Sequence, residues 1–379
     1  MKKEKGMEAY LDNSATTKCY EEVKDIVIKT MMEDYGNPSS KHIKGMEAEK
    51  YLRESRELIA KTLKVNEKEI FFTSGGTESD NWALIGTAMA NRRAGQHIIT
   101  TAIEHAAVLQ PMLYLQEQGF EITFLPVDET GLISLEELKE ALREDTILVS
   151  IMYVNNEVGA INPVNDIGAY IKYHTDAYFQ VDATQALGKL PIDLKDIDMM
   201  SFSAHKIEGL KGSGILVKKK HIPMIPLING GQQEDGIRGG TSNALVNICF
   251  AKTLRLSLEN QHKYHDHIHM LHEHLLDELL KIDGIVINSK KISVDSIVNF
   301  SVAALTSEVM LNALNSRNIM VSALSTCHSK LNTSHVLTSM KYDDNRIKHS
   351  LRVSFDYHTT MDDIDYFITN LKEIIKIYG

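Results

Sequence analysis

Apolar and polar residues alternate in a pattern that changes at about residue 243. Before that point, short runs of β-branched and apolar residues are separated by stretches with helical spacing. The predicted strands are 69–73, 97–100, 121–125, 146–152, 178–181 and 198–203. The predicted helices are 18–34, 44–63, 81–92, 106–118, 135–142 and 165–174. Such alternation favours an α/β fold with a mainly parallel sheet that is buried on both faces.

The pattern after residue 243 favours a second, smaller unit of α+β type. It has a long helical stretch at 243–281 and further helices at 307–315 and 361–377, with strands at 284–288, 296–301 and 352–355. A chain of 379 residues also exceeds what one hydrophobic core usually supports. We therefore predict a large domain at 16–255 and a small domain formed by 1–15 and 256–379.

Composition and charge exclude several classes of protein. The chain has 41 Lys and Arg against 51 Asp and Glu, a net charge of −10, which argues against a general nucleic-acid binder. No run approaches the roughly 18 apolar residues that a membrane span needs, and the basic start lacks a signal-like apolar segment. Three scattered cysteines are too few for a disulfide framework. We expect a protein of the reducing cytoplasm.

Several chemically useful side chains follow directly after predicted strands. Lys206 follows 198–203, Asp182 follows 178–181, His105 and Asn156 follow two further strands, and Thr77 ends the glycine-rich turn at 74–77. The carboxyl ends of parallel strands meet at one edge of a sheet, where α/β proteins bind ligands. Each residue also has a simpler explanation: a solvated lysine, a helix-capping aspartate, a packed histidine or a tight turn. Their combination predicts one shared site.

The residue types in this set match the needs of a pyridoxal phosphate site. A lysine amine can form an imine with an aldehyde cofactor, and a carboxylate such as Asp182 keeps a pyridine nitrogen protonated. Gln185 is close enough in sequence to reach a ring oxygen. His105 can stack on a flat ring and move protons near neutral pH. The glycines before Thr77 permit close approach of a phosphate to a helix N-terminus.

Two further features carry possible chemistry. Cys327 lies beside His328 in a stretch of small polar residues, where a thiol with a lowered pKa could act as a nucleophile or could have no role. Cys249 is predicted to be a core residue, and Cys19 has no evident role. A histidine-rich helix places four imidazoles on one face, but no other ligands accompany them, so we expect a solvated surface and no metal site. These four are His262, His265, His269 and His272.

Taken together, these segments resemble the cysteine desulfurases (NifS/IscS-like) of pyridoxal phosphate fold type I, over nearly the whole chain. The most specific segments are Tyr35-Gly36-Asn37-Pro38-Ser39-Ser40 with His42, Phe72-Thr73-Ser74-Gly75-Gly76-Thr77-Glu78-Ser79-Asp80-Asn81, Val154-Asn155-Asn156-Glu157-Val158-Gly159, Val181-Asp182-Ala183-Thr184-Gln185 and Ser201-Phe202-Ser203-Ala204-His205-Lys206. The resemblance implies a large domain with a mainly parallel seven-stranded sheet, a smaller α+β C-terminal domain that carries the cysteine loop, and bound pyridoxal 5'-phosphate.

The resemblance also implies how the cofactor would be held. Lys206 would carry it as an imine, Asp182 would face the pyridine nitrogen, and Gln185 would face the ring hydroxyl. His105 would stack on the ring and act as an acid and base. The cofactor phosphate would be bound by Gly76, Thr77, Ser203 and His205. Thr241 would reach the phosphate of the partner subunit, since members of the family are homodimers with shared sites.

The implied substrate is L-cysteine. Asn156 and Arg352 would hold its carboxylate, with help from Asn37, and Asn156 would also contact the cofactor. Cys327 would attack the substrate sulfur, which leaves a persulfide on the enzyme and releases L-alanine. The sulfur would then pass to acceptor proteins for iron–sulfur cluster assembly or tRNA thiolation, without direct contact with nucleic acid or membrane.

The chain departs from the family pattern at two places. Leu324 stands where the family has glycine, which should stiffen the loop that must carry Cys327 between cofactor and acceptor. Asp235 stands where the family usually has arginine, close to the site shared between subunits. Two other functions stay open: a selenocysteine lyase or another class V aminotransferase, with Cys327 as a bystander, or a weakly active homologue that serves as a binding partner.

Overall fold

The computed structural model describes residues 7–323 and 333–379. The strands are β1 (Ala9–Tyr10), β2 (Ile70–Thr73), β3 (His97–Thr101), β4 (Glu121–Leu125), β5 (Thr146–Ser150), β6 (Tyr178–Asp182), β7 (Met199–Ser203), β8 (Gly214–Lys218), β9 (Ile285–Ile287), β10 (Ile297–Val302), β11 (Ile319–Met320), β12 (Ser322–Ala323) and β13 (Ser350–Ser354). The helices are α1 (Glu21–Met32), α2 (Ile43–Leu63), α3 (Gly76–Asn81), α4 (Thr87–Asn91), α5 (Ala106–Glu117), α6 (Leu135–Ala141), α7 (Val164–His174), α8 (Ala244–Glu259), α9 (Gln261–Leu280), α10 (Ser307–Asn315), α11 (His335–Ser339), α12 (Asp344–Lys348) and α13 (Met361–Tyr378).

Seven strands form the larger sheet, in the order β2-β8-β7-β6-β5-β3-β4. The strands from β4 to β7 pair in parallel, whereas β8 pairs antiparallel with both β7 and β2. This arrangement confirms the mainly parallel, seven-stranded sheet. The sequence pattern did not indicate β8 itself, because this five-residue strand directly follows the glycine-rich turn after Lys206.

Successive residues of the larger sheet point to opposite faces, and both faces are covered. Ile99, Val149 and Phe202 belong to one apolar cluster. Their chain neighbours Ile98 and Leu148 belong to another on the opposite face. Because side chains alternate along a strand, burial of both sets requires helices on both sides of the sheet. This explains why β3, β5 and β7 are buried along their whole length and have no solvent-exposed face.

The smaller sheet has the order β12-β13-β10-β9 and is antiparallel. It shares an apolar cluster with helices α9, α10 and α13, in which Leu271, Phe300 and Phe367 are fully buried. The N-terminal arm joins this part of the molecule, since β1 pairs with β11. The domain boundaries at 16–255 and at 1–15 with 256–379 stay predictions.

Two helices differ from the sequence-based expectation. The stretch 243–281 is broken at Asn260, whose side-chain amide donates to the Leu256 carbonyl at 2.8 Å and ends α8. The predicted helix 81–92 begins earlier, at Gly76, and includes a π-helical turn at Trp82–Gly86 between α3 and α4. The earlier start matters because it brings a helix N-terminus to the edge of the sheet.

Within the described ranges, no helix is long and apolar enough to span a membrane.

Candidate active site

Polar side chains converge at the edge of the larger sheet where β2, β3, β5, β6 and β7 end. They surround a cavity of about 380 Å³ between this edge, the N-terminal arm and β13. Ten of the predicted site residues line it: Gly76, Thr77, His105, Asn156, Asp182, Gln185, Ser203, His205, Lys206 and Arg352. Parallel strands that end at one edge bring together residues that are far apart in the sequence.

Three predicted site residues are not among those that line this cavity. Asn37 is exposed in the turn before α2, where its side-chain oxygen accepts a hydrogen bond from the Ser39 amide at 2.9 Å. Thr241 is exposed and lines a separate cavity of about 240 Å³ with Arg238. Cys327 lies outside the residues that the structure describes, as do Leu324 and His328. The roles predicted for these residues stay predictions.

A close-packed glycine turn forms one end of the cavity. Gly75 has φ +152°, which residues with a side chain rarely adopt. A Cβ atom on Gly76 would lie 2.8 Å from the Thr184 hydroxyl oxygen. The first turn of a helix leaves backbone N–H groups without helical partners, and Thr77, Ser203 and His205 add polar side chains beside it. This end of the cavity suits a phosphate group.

Lys206 points its amine at the N-terminal arm, at the cavity wall. The Nζ atom donates to the carbonyl oxygens of Ser14 and, at 2.8 Å, of Ala15. Burial and the positive charge of Arg352 together lower the pKa of Lys206 to about 8, against the opposite effects of Asp12 and Asp182. The amine is therefore much closer to its neutral, nucleophilic form at physiological pH than a solvated lysine.

Asp80 provides a second carboxyl group in the wall of the same cavity as Asp182. Asp182 ends β6 and accepts from the Thr184 amide at 2.9 Å, so it also serves the turn-forming role that the sequence left open. Asp80 is 1% exposed and accepts from the Gln180 side chain at 3.0 Å. Burial raises the pKa of Asp80, and the negative charge of Asp182 adds to the effect. The pKa of Asp80 therefore lies well above that of a solvated carboxyl group.

His105 is fixed by the helix that follows it. Its Nδ1 atom accepts from the Ala107 amide at 3.1 Å and caps α5. Burial lowers the pKa of His105, and Lys206 and His335 contribute in the same direction, against the charge of Asp182. A neutral imidazole whose Nδ1 accepts a hydrogen bond carries its proton on Nε2. The ring is thus oriented in one tautomer at the cavity wall.

Arg352 of β13 lines the cavity and connects three parts of the chain. It is 5% exposed, and it donates to the Asn156 carbonyl at 2.8 Å and to the Asp12 carboxylate at 2.7 Å. Its Nε atom is buried and has no hydrogen-bond partner among the described residues. A guanidinium group held in this way suits a substrate carboxylate.

Sequence reasoning missed several residues that shape the site: Asp12, Ser14, Asp80, Glu104, Thr184 and Lys189. The carbonyl of Ser14 could not be found from side-chain type, because its role belongs to the backbone. Glu104 is fully buried, and burial raises its pKa to about 8. Two signals for these acids were available in the sequence. Glu104 stands next to His105, and Asp80 follows the glycine turn, and acidic residues that become buried near a sheet edge are uncommon.

The histidine-rich helix forms local contacts. His269 bonds the Asp295 carboxylate at 2.9 Å, His272 bonds the Asp295 carbonyl at 2.8 Å, and His274 bonds Asp365 at 2.6 Å. Among the described residues, no group of three or more His, Cys, Asp or Glu side chains is placed to hold a metal ion.

The donor set fits pyridoxal phosphate, with a phosphate-sized cradle at one end, a lysine amine beside it and a buried carboxylate at the sheet edge. Gly76 leaves no room for a side chain beside Thr184, whose hydroxyl oxygen would lie 2.8 Å from a Cβ atom at Gly76.

Comparison with known proteins gives consistent matches over the chain. The aminotransferase class-V family model matches residues 9–367. Cysteine desulfurase IscS of Methanosarcina thermophila is 41% identical over 371 residues, which cover 97% of this chain and 92% of that protein. Cysteine desulfurase IscS of Clostridium botulinum is 40% identical over 378 residues, 97% of this chain and 94% of that one. A solved structure named NifS-like protein has a TM-score of 0.93 at 38% identity and covers 98% of this chain and 100% of its own. This likeness confirms the predicted fold class.

Proposed function

This chain belongs to the aminotransferase class-V family and, within it, to the cysteine desulfurases, and from that premise we propose how its residues take sulfur from L-cysteine. The family depends on pyridoxal phosphate, and we assign its binding site to the cavity of about 380 Å³ at the sheet edge. The observation that carries this assignment is the convergence of Lys206, Asp182 and the Gly76 cradle on one cavity.

Bound pyridoxal phosphate supplies an aldehyde that condenses with amines and a ring that accepts electrons. The protein supplies the rest. The lowered pKa of Lys206 gives it a share of neutral amine for the condensation. Asp182 would face the ring nitrogen, and burial raises the pKa of the neighbouring Asp80. Thr77, Ser203 and His205 would hold the phosphate at the N-terminus of α3.

Substrate binding is assigned to Arg352 and Asn156. The guanidinium group is already held in place by Asp12, so it loses little freedom when it binds a carboxylate. The Lys206 amine, at the wall of the same cavity, would move a proton at the substrate α-carbon. His105 carries a proton on Nε2 and can move it at the cavity wall. Asn37 remains a proposed contributor from outside the cavity.

The sulfur acceptor is proposed to be Cys327, on sequence grounds. Its thiolate attacks the substrate sulfur and forms an S–S bond, while the C–S bond of the substrate breaks. The electron pair of that bond stays with the substrate carbon, which takes up a proton, so the products are L-alanine and a Cys327 persulfide. The persulfide sulfur then passes to an acceptor protein for iron–sulfur cluster assembly or tRNA thiolation.

We also propose a homodimer in the cytoplasm. Thr241 and Arg238 face a cavity separate from the one at the sheet edge, which supports a role toward a second subunit. The matched relatives carry cysteine desulfurase names, which favours this activity over a selenocysteine lyase or a weakly active partner protein.

The proposed activity is tested by incubation of the purified protein with L-cysteine, followed by mass spectrometry of the peptide that contains Cys327. We expect one added sulfur and stoichiometric alanine. Cys327→Ser should keep the visible absorbance of bound pyridoxal phosphate and produce no persulfide, with Cys19→Ser as the matched control. Sulfide release by Cys327→Ser at the wild-type rate would exclude Cys327 as the nucleophile. If the Cys327→Ser variant releases alanine from selenocysteine at least as fast as the wild-type protein does, a selenocysteine lyase would be favoured.

A further inference from the structure

The amide of Gln185 is held by two hydrogen bonds of opposite polarity. Its Nε2 atom donates to the Ser14 carbonyl at 2.9 Å, and its Oε1 atom accepts from the Lys189 amine at 2.7 Å. Gln185 is 4% exposed and lines the cavity at the sheet edge. The same Ser14 carbonyl accepts from Lys206, so the amide and the lysine amine meet at one backbone oxygen.

These two partners determine which way the amide faces. A glutamine amide can be turned by a half rotation with almost no change in shape, so packing alone does not select its orientation. A carbonyl oxygen can accept but not donate, whereas a lysine ammonium group can donate but not accept. Only one orientation of Gln185 satisfies both partners, and it leaves one Nε2 hydrogen for an acceptor in the cavity.

Lys189 itself lies outside the cavity that holds the predicted site residues. It lines a neighbouring cavity of about 250 Å³ with Glu208 and Asp356. Burial lowers the pKa of Lys189 to about 7, and Lys206 and Arg352 act in the same direction, against Glu208 and Asp356. Both protonation states of the amine carry N–H groups, so the donation to Gln185 is available on either side of that pH. Only the charged form is unable to accept a hydrogen bond, so Lys189 selects the amide orientation most strongly below about pH 7.

We propose that Lys189 is a positioning residue that fixes the amide of Gln185 with its N–H groups toward Ser14 and toward the ring oxygen of pyridoxal phosphate. Without this donor, the amide can turn and present its oxygen to an oxygen of the cofactor, which is repulsive. Lys189 therefore acts through Gln185 and not by its own contact. The inference rests on the proposed function, because it requires that the cavity binds this cofactor.

The test is a double-mutant cycle on cofactor binding by the apoprotein. The variants are Lys189→Met, which keeps the length and loses the donor, Gln185→Ala, and both together. The dissociation constant of pyridoxal phosphate and the position of its visible absorbance band are measured by titration. We expect Lys189→Met to weaken binding by about tenfold and to shift the band, and to have less than about a twofold effect when Gln185 is already alanine.

Two controls separate positioning from general packing. Lys218→Met removes another buried lysine, whose amine donates to the Ile222 carbonyl at 3.0 Å, and should bind the cofactor like wild type. Lys189→Arg keeps a donor and should bind within about threefold of wild type.

Three results would overturn the inference. The first is wild-type affinity and an unshifted band in Lys189→Met. The second is an effect of Lys189→Met on affinity that is equally large whether residue 185 is glutamine or alanine. The third is a loss of affinity in Lys189→Arg as large as that in Lys189→Met. Failure of the wild-type protein to bind pyridoxal phosphate would instead overturn the proposed function, and this inference with it.

Discussion

At the residue scale, the environment of Lys206 decides what its amine can do. A solvated lysine is almost fully protonated at neutral pH, so it is a poor nucleophile. Burial and Arg352 oppose the positive charge on Lys206, and Asp12 and Asp182 partly restore it. The balance leaves a pKa of about 8, which allows both a neutral amine for condensation and a charged form for proton transfer.

The reactivity of Lys206 should therefore change with pH in a defined direction. The neutral amine reacts, so labelling of the apoprotein with acetic anhydride should rise through about pH 8 and level off above it. At about pH 6 the rate should be about a hundredfold below the plateau. Mass spectrometry of the peptide with Lys206 measures this. Asp12→Asn removes a charge that raises this pKa, so its midpoint should lie lower. A midpoint near that of a surface lysine would contradict the description of the site.

Arg352 should determine substrate affinity more than cofactor affinity. Its two terminal nitrogens reach Asn156 and Asp12 in fixed directions, which a lysine ammonium group cannot reproduce. We expect Arg352→Lys to raise the KM for L-cysteine by about 10- to 100-fold, with unchanged absorbance of the bound cofactor. Steady-state kinetics and absorbance titration check both parts. Arg317→Lys, in an ion pair with Glu373, is the control. An unchanged KM would remove Arg352 from the carboxylate site.

Asp235 departs from the family pattern in a position where its backbone gives a reason. It has φ 56° and ψ 27°, in the left-handed region, and it is exposed. Asp tolerates this region better than most side chains, because it is short and polar. Neighbouring Glu234 forms an ion pair with Arg56 at 2.8 Å, which holds the turn against α2. The substitution therefore fits the turn locally, and its effect on the cofactor site stays a prediction.

At the scale of elements, the proposed phosphate site depends on where α3 begins. The helix begins five residues before the predicted start, because the glycines of the turn can already adopt the conformations that lead into it. The backbone of Gly75 also lies against Gly214 of β8, where a Cβ atom would come within 2.6 Å of the Gly75 Cα. The phosphate cradle is thus formed by β2, β8 and α3 together.

A methyl group at Gly76 should block the cradle by contact with one neighbour. Gly76→Ala places a Cβ atom 2.8 Å from the Thr184 hydroxyl, and the helical backbone there accepts alanine without strain. We expect about tenfold weaker binding of pyridoxal phosphate and little change in Tm. Adding Thr184→Ala should restore most of the affinity, with Thr184→Ala by itself as the control. Weak binding that Thr184→Ala does not relieve would mean that the alanine acts on the phosphate directly.

At the scale of the whole molecule, the site depends on three segments that are remote in sequence. The arm at 12–15 supplies carbonyl groups, the sheet edge supplies Asp182 and Lys206, and β13 supplies Arg352. The Asp12–Arg352 ion pair at 2.7 Å ties the arm to the smaller sheet. A change in how the two sheets are placed relative to each other would therefore move the substrate carboxylate site against the cofactor site.

The molecule also presents an apolar surface that suits the proposed homodimer. Large apolar side chains at the end of α1 and the start of α2 are exposed: Ile28, Met31, Met32, Tyr35, Ile43 and Met46, with exposed fractions of 52, 60, 72, 70, 75 and 63%. The two helix ends are held together, since Lys44 donates to the Glu33 carbonyl at 2.7 Å. An apolar surface of this kind is typical of protein interfaces.

Charges on this surface should separate the subunits. We expect a wild-type mass of about twice 42.6 kDa by light scattering and a monomer for Met32→Glu combined with Ile43→Glu, because burial of carboxylates in an apolar interface is costly. The monomer should also bind pyridoxal phosphate more weakly, since Thr241 would be lost from the partner site. Met270→Glu, at a residue 50% exposed on α9, is the control. A wild-type monomer with full affinity would contradict the shared site.

Much of the fold and the candidate site could be predicted from the sequence because several of the predicted residues lie at or just after the end of a strand. Lys206, Asp182 and His105 are placed by strand ends, and local apolar patterns locate those ends. β8 could not be found in this way, since it is short and begins within a glycine-rich turn. Asp12 and Lys189 could not be found either, because their roles depend on contacts with residues that are distant in the sequence.

Local patterns along the chain were enough to predict most of the elements, the parallel sheet and ten of the residues at its edge, because period, propensity and motif are local properties. Only tertiary contacts bring particular charges close together, which lowers the pKa of Lys206 and raises that of Asp80. Such contacts also decided the orientation of the Gln185 amide, through Ser14 and Lys189. Electrostatic energies depend on distance and burial, and neither can be read from the order of residues along the chain.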